Sequence, residues 1–203
     1  RSLMLKDAPD MTLATRAAQF QALIAACEFA DAGGARLSPE EGIARAMQML
    51  RSARERGSSV YLVGNGGSAG IASHATTDFV NVAKLRAQTV HDSSLLTCMA
   101  NDYGYENAFA RILSQLTRAG DVLVAISSSG RSPNIRNAVD TVKQRGATVL
   151  TLSGFDRDNP LRSLGDLNIW IDSRDYGFVE IGHQFILHNL ADRFGREAAT
   201  ARS

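Results

Sequence analysis

Two apolar runs of strand length each break into a glycine- or serine-rich turn, and this repeated break constrains the fold more than any other feature of the chain. Val60-Tyr61-Leu62-Val63 runs into Gly64-Asn65-Gly66-Gly67-Ser68, and Val122-Leu123-Val124-Ala125-Ile126 runs into Ser127-Ser128-Ser129-Gly130-Arg131-Ser132. A helical pattern follows each turn, so both present unpaired backbone N–H groups at the positive end of a helix dipole. Such turns attract anions, and serine hydroxyls add donors. One turn alone decides little, because glycines also serve simply to make tight strand-to-helix connections. Two of them at equivalent points of a parallel sheet face one crevice, which points to a phosphorylated small molecule.

From residue 59 onward strand and helix patterns alternate. Strands are predicted near 59–64, 87–91, 121–127, 147–152 and 167–171, and helices over 69–80, 105–118, 133–145 and 178–194. Alternation of this kind predicts an α/β fold, a doubly wound, five-stranded parallel sheet covered on both faces. The stretch 153–166 reads as an irregular surface loop. Ahead of the sheet, residues 12–31 are predicted helical, with Leu13, Ala17, Phe20, Ile24 and Cys27 along one face. A helix so poor in charge needs a large surface to cover it, either its own domain or another subunit. A second helix begins at Ser38-Pro39-Glu40-Glu41, with a serine cap, proline at the first helical position and a capping-box glutamate, and stops near Gly57.

The 203 residues suit one compact unit with added helices. A net charge of +1 gives no reason to expect nucleic acid or membrane as partner. No apolar stretch approaches membrane-spanning length. Residues 1–10 lack the apolar core of a secretory signal and are expected to be a frayed end. Cys27 and Cys98 both lie in apolar surroundings and read as buried free thiols, consistent with a cytoplasmic protein.

The helix after the first turn carries His74 and Asp78, spaced i and i+4 and so on one face. By itself this could be an exposed hydrogen-bonded pair. The last helix adds Glu180, His183 and His188; Glu180 and His188 are two turns apart and roughly 80° apart around the axis. Two histidines and two carboxylates from two helices suit a zinc site, while the alternative for His183 is a histidine that makes structural contacts only. The first turn also fits a dinucleotide pattern, with Gly64, Gly66, Ala69 and, further on, Asp92. A dinucleotide fold needs neither the second serine turn nor these histidines.

From Val60 to Phe194 the chain resembles the sugar isomerase (SIS) domain family, and within it the phosphoheptose isomerases. The matching features are Gly-Asn-Gly-Gly-Ser at 64–68, His74, Asn101-Asp102-Tyr103-Gly104-Tyr105, Gly120-Asp121-Val122-Leu123, the run Ile126 to Asn134, and the helix with His183 and His188. The resemblance implies an aldose–ketose isomerisation of sedoheptulose 7-phosphate through an enediol. It implies that Ser127, Ser128, Ser129 and Ser132 bind phosphate, and that Asn65, Gly66, Gly67, Ser68, Asp102 and Glu180 bind the sugar. His74, Asp78, Glu180 and His188 carry over as zinc ligands, one zinc per subunit, and Asp78 and His188 as the acid/base pair. Residues 1–57 correspond to helices that pack subunits into a homotetramer, and 58–196 to the SIS domain.

The chain departs from the family's pattern at several points. Position 78 is aspartate in place of glutamate, position 180 is glutamate in place of glutamine, and Gly177 stands where an aspartate lies near the sugar. The segment between Asp78 and Asp102 is shorter, and an arginine expected after position 78 is absent, with Lys84 or Arg86 as substitutes. The competing expectation is a noncatalytic SIS protein that binds a sugar phosphate or a protein partner. Such relatives lose acid/base residues, whereas this chain keeps His74, Asp78 and His188.

Overall fold

The computed structural model describes residues 11–200, so the expectation for residues 1–10 lies outside the described residues. Helix α1 (Leu13–Ala25) leads into a hairpin of β1 (Glu28–Asp31) and β2 (Arg36–Leu37), followed by α2 (Pro39–Arg56). Then come β3 (Ser59–Val63), α3 (Gly67–Asn81), β4 (Arg86–Thr89), α4 (Ser93–Tyr103) and α5 (Tyr105–Leu116). The chain ends with β5 (Val122–Ser127), α6 (Pro133–Gln144), β6 (Thr148–Ser153), a 3₁₀ turn (Pro160–Ser163), β7 (Leu167–Trp170) and α7 (Tyr176–Thr200).

Among the described residues the sheet has seven strands in the order β2-β1-β7-β6-β5-β3-β4, two more than the sequence predicts. The five expected strands are all present and parallel. The extra pair comes from the segment 26–37, where the helical reading of 12–31 fails. α1 stops at Ala25, and Glu28–Asp31 pairs antiparallel with β7. Phe29 is the residue that decides this: it is buried under α2, where a Cβ on Gly42 would strike its ring. Tertiary burial there overrides local helical periodicity.

Alternate strand positions supply two cores. Val60, Leu62, Val124, Ile126, Leu152 and Ile169 pack under α2, α3 and α7, whereas Tyr61, Val63, Leu123, Ala125 and Val149 pack under α5 and α6. The second helix has the termini the sequence predicts. Ser38 Oγ accepts from Glu41 N–H at 3.3 Å, Glu41 Oε2 accepts from Ser38 N–H at 2.8 Å, and Gly57 ends the helix in the left-handed region. Cys27 is buried, and burial pushes its thiol up to about 11. Cys98 is exposed, contrary to expectation, because α4, which the sequence reading omits, buries none of its residues. Among the described residues no helix is long and apolar enough to cross a membrane.

Candidate functional site

Strand order reverses between β3 and β5, so the connections leaving these neighbours diverge to opposite faces and open a crevice at their carboxyl ends. Both special turns lie there. They line one cleft of about 1000 Å³, with Asn65, Gly66, Gly67 and Ser68 from the first and Ser127, Ser128, Ser129 and Ser132 from the second. The opposite wall is Phe155, Asp156, Arg174, Asp175, Tyr176, Gly177 and Glu180.

The first turn is fixed through Asn65. Its amide exchanges hydrogen bonds with that of Asn134, 2.9 Å each way, and Tyr105 OH donates to its Oδ1 at 2.8 Å. One N–H of Asn65 is left for a ligand. No side chain caps α3, and the Ser68 and Ala69 N–H groups of its first turn donate to the Asn65 and Gly66 carbonyls at 3.0 and 3.1 Å. Gly67 is required for a reason of space: a Cβ there would lie 2.5 Å from both carboxylate oxygens of Glu180. Glycine lets that carboxylate sit directly on the turn.

The serine turn is a set of donors. Ser127 Oγ donates to Ser132 Oγ at 3.3 Å, Arg131 N–H donates to Ser129 Oγ at 3.3 Å, and Ser128 Oγ is buried with no partner. Gly130 adopts φ 63°, and any Cβ there would collide with Asn159 Oδ1 at 1.9 Å. α6 starts at Pro133 without a side-chain cap hydrogen bond, so its first turn also offers N–H groups. An anion is the ligand such a set accepts. Replacing Ser129 or Ser132 by alanine should weaken binding of phosphorylated ligands by about 1–3 kcal/mol per hydrogen bond lost. Calorimetric titration checks this, and unchanged affinity in both variants would remove the turn from the site.

α3 and α7 pack side by side and bring His74, Asp78 and His188 together, with one donor atom from each within 4.8 Å of the others. Asp78 Oδ2 lies 3.0 Å from His188 Nδ1 and 3.5 Å from His74 Nε2. The two imidazoles meet edge to face with centroids 4.8 Å apart. Asp78 Oδ2 is buried yet accepts no hydrogen bond of acceptable geometry. Glu180 is not in this group; its carboxylate lies on Gly67, two turns back along α7. The three clustered residues lie beyond the cleft lining, past Ser68 on α3 and past Glu180 on α7.

Asp102 also lies outside the cleft lining, exposed on α4, where it accepts a hydrogen bond from Asn101 Nδ2 at 2.9 Å. Asp156, Arg174, Asp175 and Tyr176 are lining residues that sequence reasoning missed. Their signal was positional, since they follow the carboxyl ends of β6 and β7, where ligands bind in such sheets. His183 is wholly buried, with Nε2 3.1 Å from the Ser153 carbonyl, which fixes Nε2 as the donor. Desolvation lowers its pKa to about 4, outweighing that hydrogen bond.

Comparison with known proteins agrees with this geometry. The SIS domain model matches residues 35–154. The phosphoheptose isomerase of Pelobacter propionicus is 37% identical over 153 residues, covering 72% of this chain and 80% of the relative. The chain belongs to the phosphoheptose isomerase branch of the SIS-domain family. That of Citrifermentans bemidjiense is 35% identical over 181 residues, 86% of this chain and 93% of the relative. Among solved structures, a phosphoheptose isomerase from Francisella tularensis superimposes with TM-score 0.77 at 27% identity, covering 90% of this chain and 94% of that one. The Neisseria gonorrhoeae phosphoheptose isomerase gives 0.70 at 26% identity, covering 90% and 98%. The SIS-domain match ends just after β6, so it leaves α7 and its two histidines, His183 and His188, unmatched.

Proposed function

We propose that this phosphoheptose isomerase relative converts sedoheptulose 7-phosphate to D-glycero-D-manno-heptose 7-phosphate. The observation that carries the reading is the pairing of an anion-binding serine turn with a carboxylate–histidine cluster on the helices that flank the same cleft. In this reading the phosphate is held by Ser127, Ser128, Ser129 and Ser132, and Asn65 and Ser68 hold the sugar. Anchoring one end of an open-chain sugar places the other end in register, which removes much of the entropic barrier.

The reaction takes a proton from C1 of the ketose, forms an enediol, and returns a proton to C2 while a hydroxyl proton moves from O1 to O2. His188 is the assigned base and acid: 43% of its side chain is exposed, and an imidazole can both take up and release a proton. Asp78 Oδ2 faces its Nδ1 at 3.0 Å, an ion pair when the imidazole is protonated. Asp78 is short and faces two imidazoles, so the proton transfers fall chiefly to His188. Glu180, on the floor of the cleft beside Gly67, accepts from substrate hydroxyls.

The buried, unpaired Asp78 Oδ2 between two imidazole nitrogens fits a dication. Two nitrogens and a carboxylate form a donor set that zinc accepts, and His74, Asp78 and His188 would hold it, whereas Glu180, the fourth ligand that the resemblance implies, lies apart from them on Gly67. When bound, zinc supplies Lewis-acid polarisation of the oxygens on the two reacting carbons. Metal analysis of protein purified without chelator reads this directly, and metal-free, fully active protein would contradict it.

The proposed assembly is a homotetramer. α1 buries none of its residues within the chain, and Leu13 is 86% exposed. Phe20 reaches Phe178 and Phe185 with ring centroids 6.4 and 6.0 Å apart, and Phe185 and Ile181 are about half exposed beside it. This apolar strip is the surface a second copy would cover. Sedimentation should give a tetramer, and a concentration-independent monomer would exclude it.

A further inference from the structure

Asp175 sits on the cleft wall immediately before α7, with its side chain 37% exposed. Three constraints fix it. Its Oδ2 accepts from Arg16 of α1 at 2.7 Å, its Oδ1 accepts from Phe178 N–H at 3.2 Å, and its own N–H donates to Ser173 Oγ at 3.1 Å. Arg16 is fixed in turn, because its guanidinium lies over the Phe178 ring, 3.6 Å from the centroid. Gly177 leaves the carboxylate room: a Cβ at that position would stand 3.1 Å from Asp175 Oδ1.

Two carboxylate oxygens offer about four lone-pair positions. The Arg16 bond and the Phe178 and Gly177 N–H groups leave part of this capacity unused on a residue that lines the cleft. The serine turn collects donors for an anion, while Asp175, beside Arg174 on the facing wall, and Glu180, on the floor beside Gly67, offer acceptors for hydroxyls. Burial alone would raise the Asp175 carboxyl, but the Arg16 hydrogen bond, the backbone N–H donors and the Arg16 charge together hold it below its ordinary value. It is an ionised acceptor at neutral pH.

The geometry points to Asp175 as the acceptor for a hydroxyl of the sugar chain, and to Arg16 as the positioning residue that holds it from α1. This rests on the sugar-phosphate reading of the cleft and adds to it a specificity-determining contact. It also ties α1, the helix expected to pack subunits together, to the affinity of the site.

The test is calorimetric titration with sedoheptulose 7-phosphate and, separately, with inorganic phosphate. Asp175→Asn retains the oxygen that accepts from Phe178 N–H, so α7 keeps its cap while the charge is lost. It should bind the sugar phosphate about tenfold more weakly and bind inorganic phosphate as the wild type does. Arg16→Gln should weaken sugar-phosphate binding about threefold, and the double variant should be no weaker than Asp175→Asn alone, since both act through one contact. Wild-type affinity in Asp175→Asn would overturn the assignment, as would equal losses for sugar phosphate and inorganic phosphate. Additive losses in the double variant would overturn the role of Arg16. Binding without turnover in the wild type would refute the isomerase reading alone, since the titration needs no reaction.

Discussion

Replacing His188 by glutamine should lower turnover of sedoheptulose 7-phosphate by about a thousandfold or more while leaving the fold and phosphate affinity intact. Positioned acid–base groups contribute about 10²–10⁴ in rate, and glutamine cannot take up and release a proton. The fold should tolerate the change because His188 keeps 43% of its side chain exposed, so little packing is lost. The phosphate turn lies on β5 and α6, elements that do not include this residue. Single-turnover rates with the variant, beside calorimetry with inorganic phosphate, separate the two effects. Near-wild-type rates would move the proton transfers away from His188.

Acid should destabilise the protein through the other histidine of α7. His183 is neutral in the fold, with a pKa lowered from 6.5 to about 4 by burial. Between these values the unfolded chain binds a proton at this site and the folded chain does not, so stability falls as pH drops. The contribution is complete above 6.5 and is lost progressively as pH falls towards 4, on the order of 3 kcal/mol in all. Urea unfolding of wild type and His183→Gln at several pH values isolates it. The wild type's advantage at pH 7 should shrink by about that amount at pH 4, and a gap independent of pH would contradict the assignment.

Fold and site differ in how far the sequence discloses them. Four of the five parallel strands were legible because they are largely buried on both faces, as Val122–Ser127 shows with six buried residues, whereas the edge strand β4 is polar and partly exposed. The β1–β2 hairpin was not, since Phe29 is its single buried position and a four-residue strand carries too little pattern to compete with the preceding helix. α4 was missed for the related reason that none of its residues is fully buried, and only Leu96 and Met99 pack, partly covered, against the core.

The serine and glycine turns were legible through their local chemistry, and so was the His74–Asp78 spacing. Joining them to His188 depended on resemblance, because the contact between α3 and α7 spans the whole sheet in sequence. Asp175 and Arg174 carry no motif at all. Their place on the cleft follows from where β7 ends, and the Arg16 contact crosses nearly the full length of the chain. Glu180 was legible as a residue of the site, but its rest position on Gly67 was not.

Incubation with sedoheptulose 7-phosphate, followed by quantitation of the aldose 7-phosphate formed, tests the central claim most directly. The account predicts that reactions begun from either sugar converge on one ketose-to-aldose ratio, and that the His188→Gln protein leaves both sugars unchanged. Recovery of sedoheptulose 7-phosphate bound but unconverted by the wild-type protein would contradict it and leave a sugar-phosphate-binding SIS protein in its place.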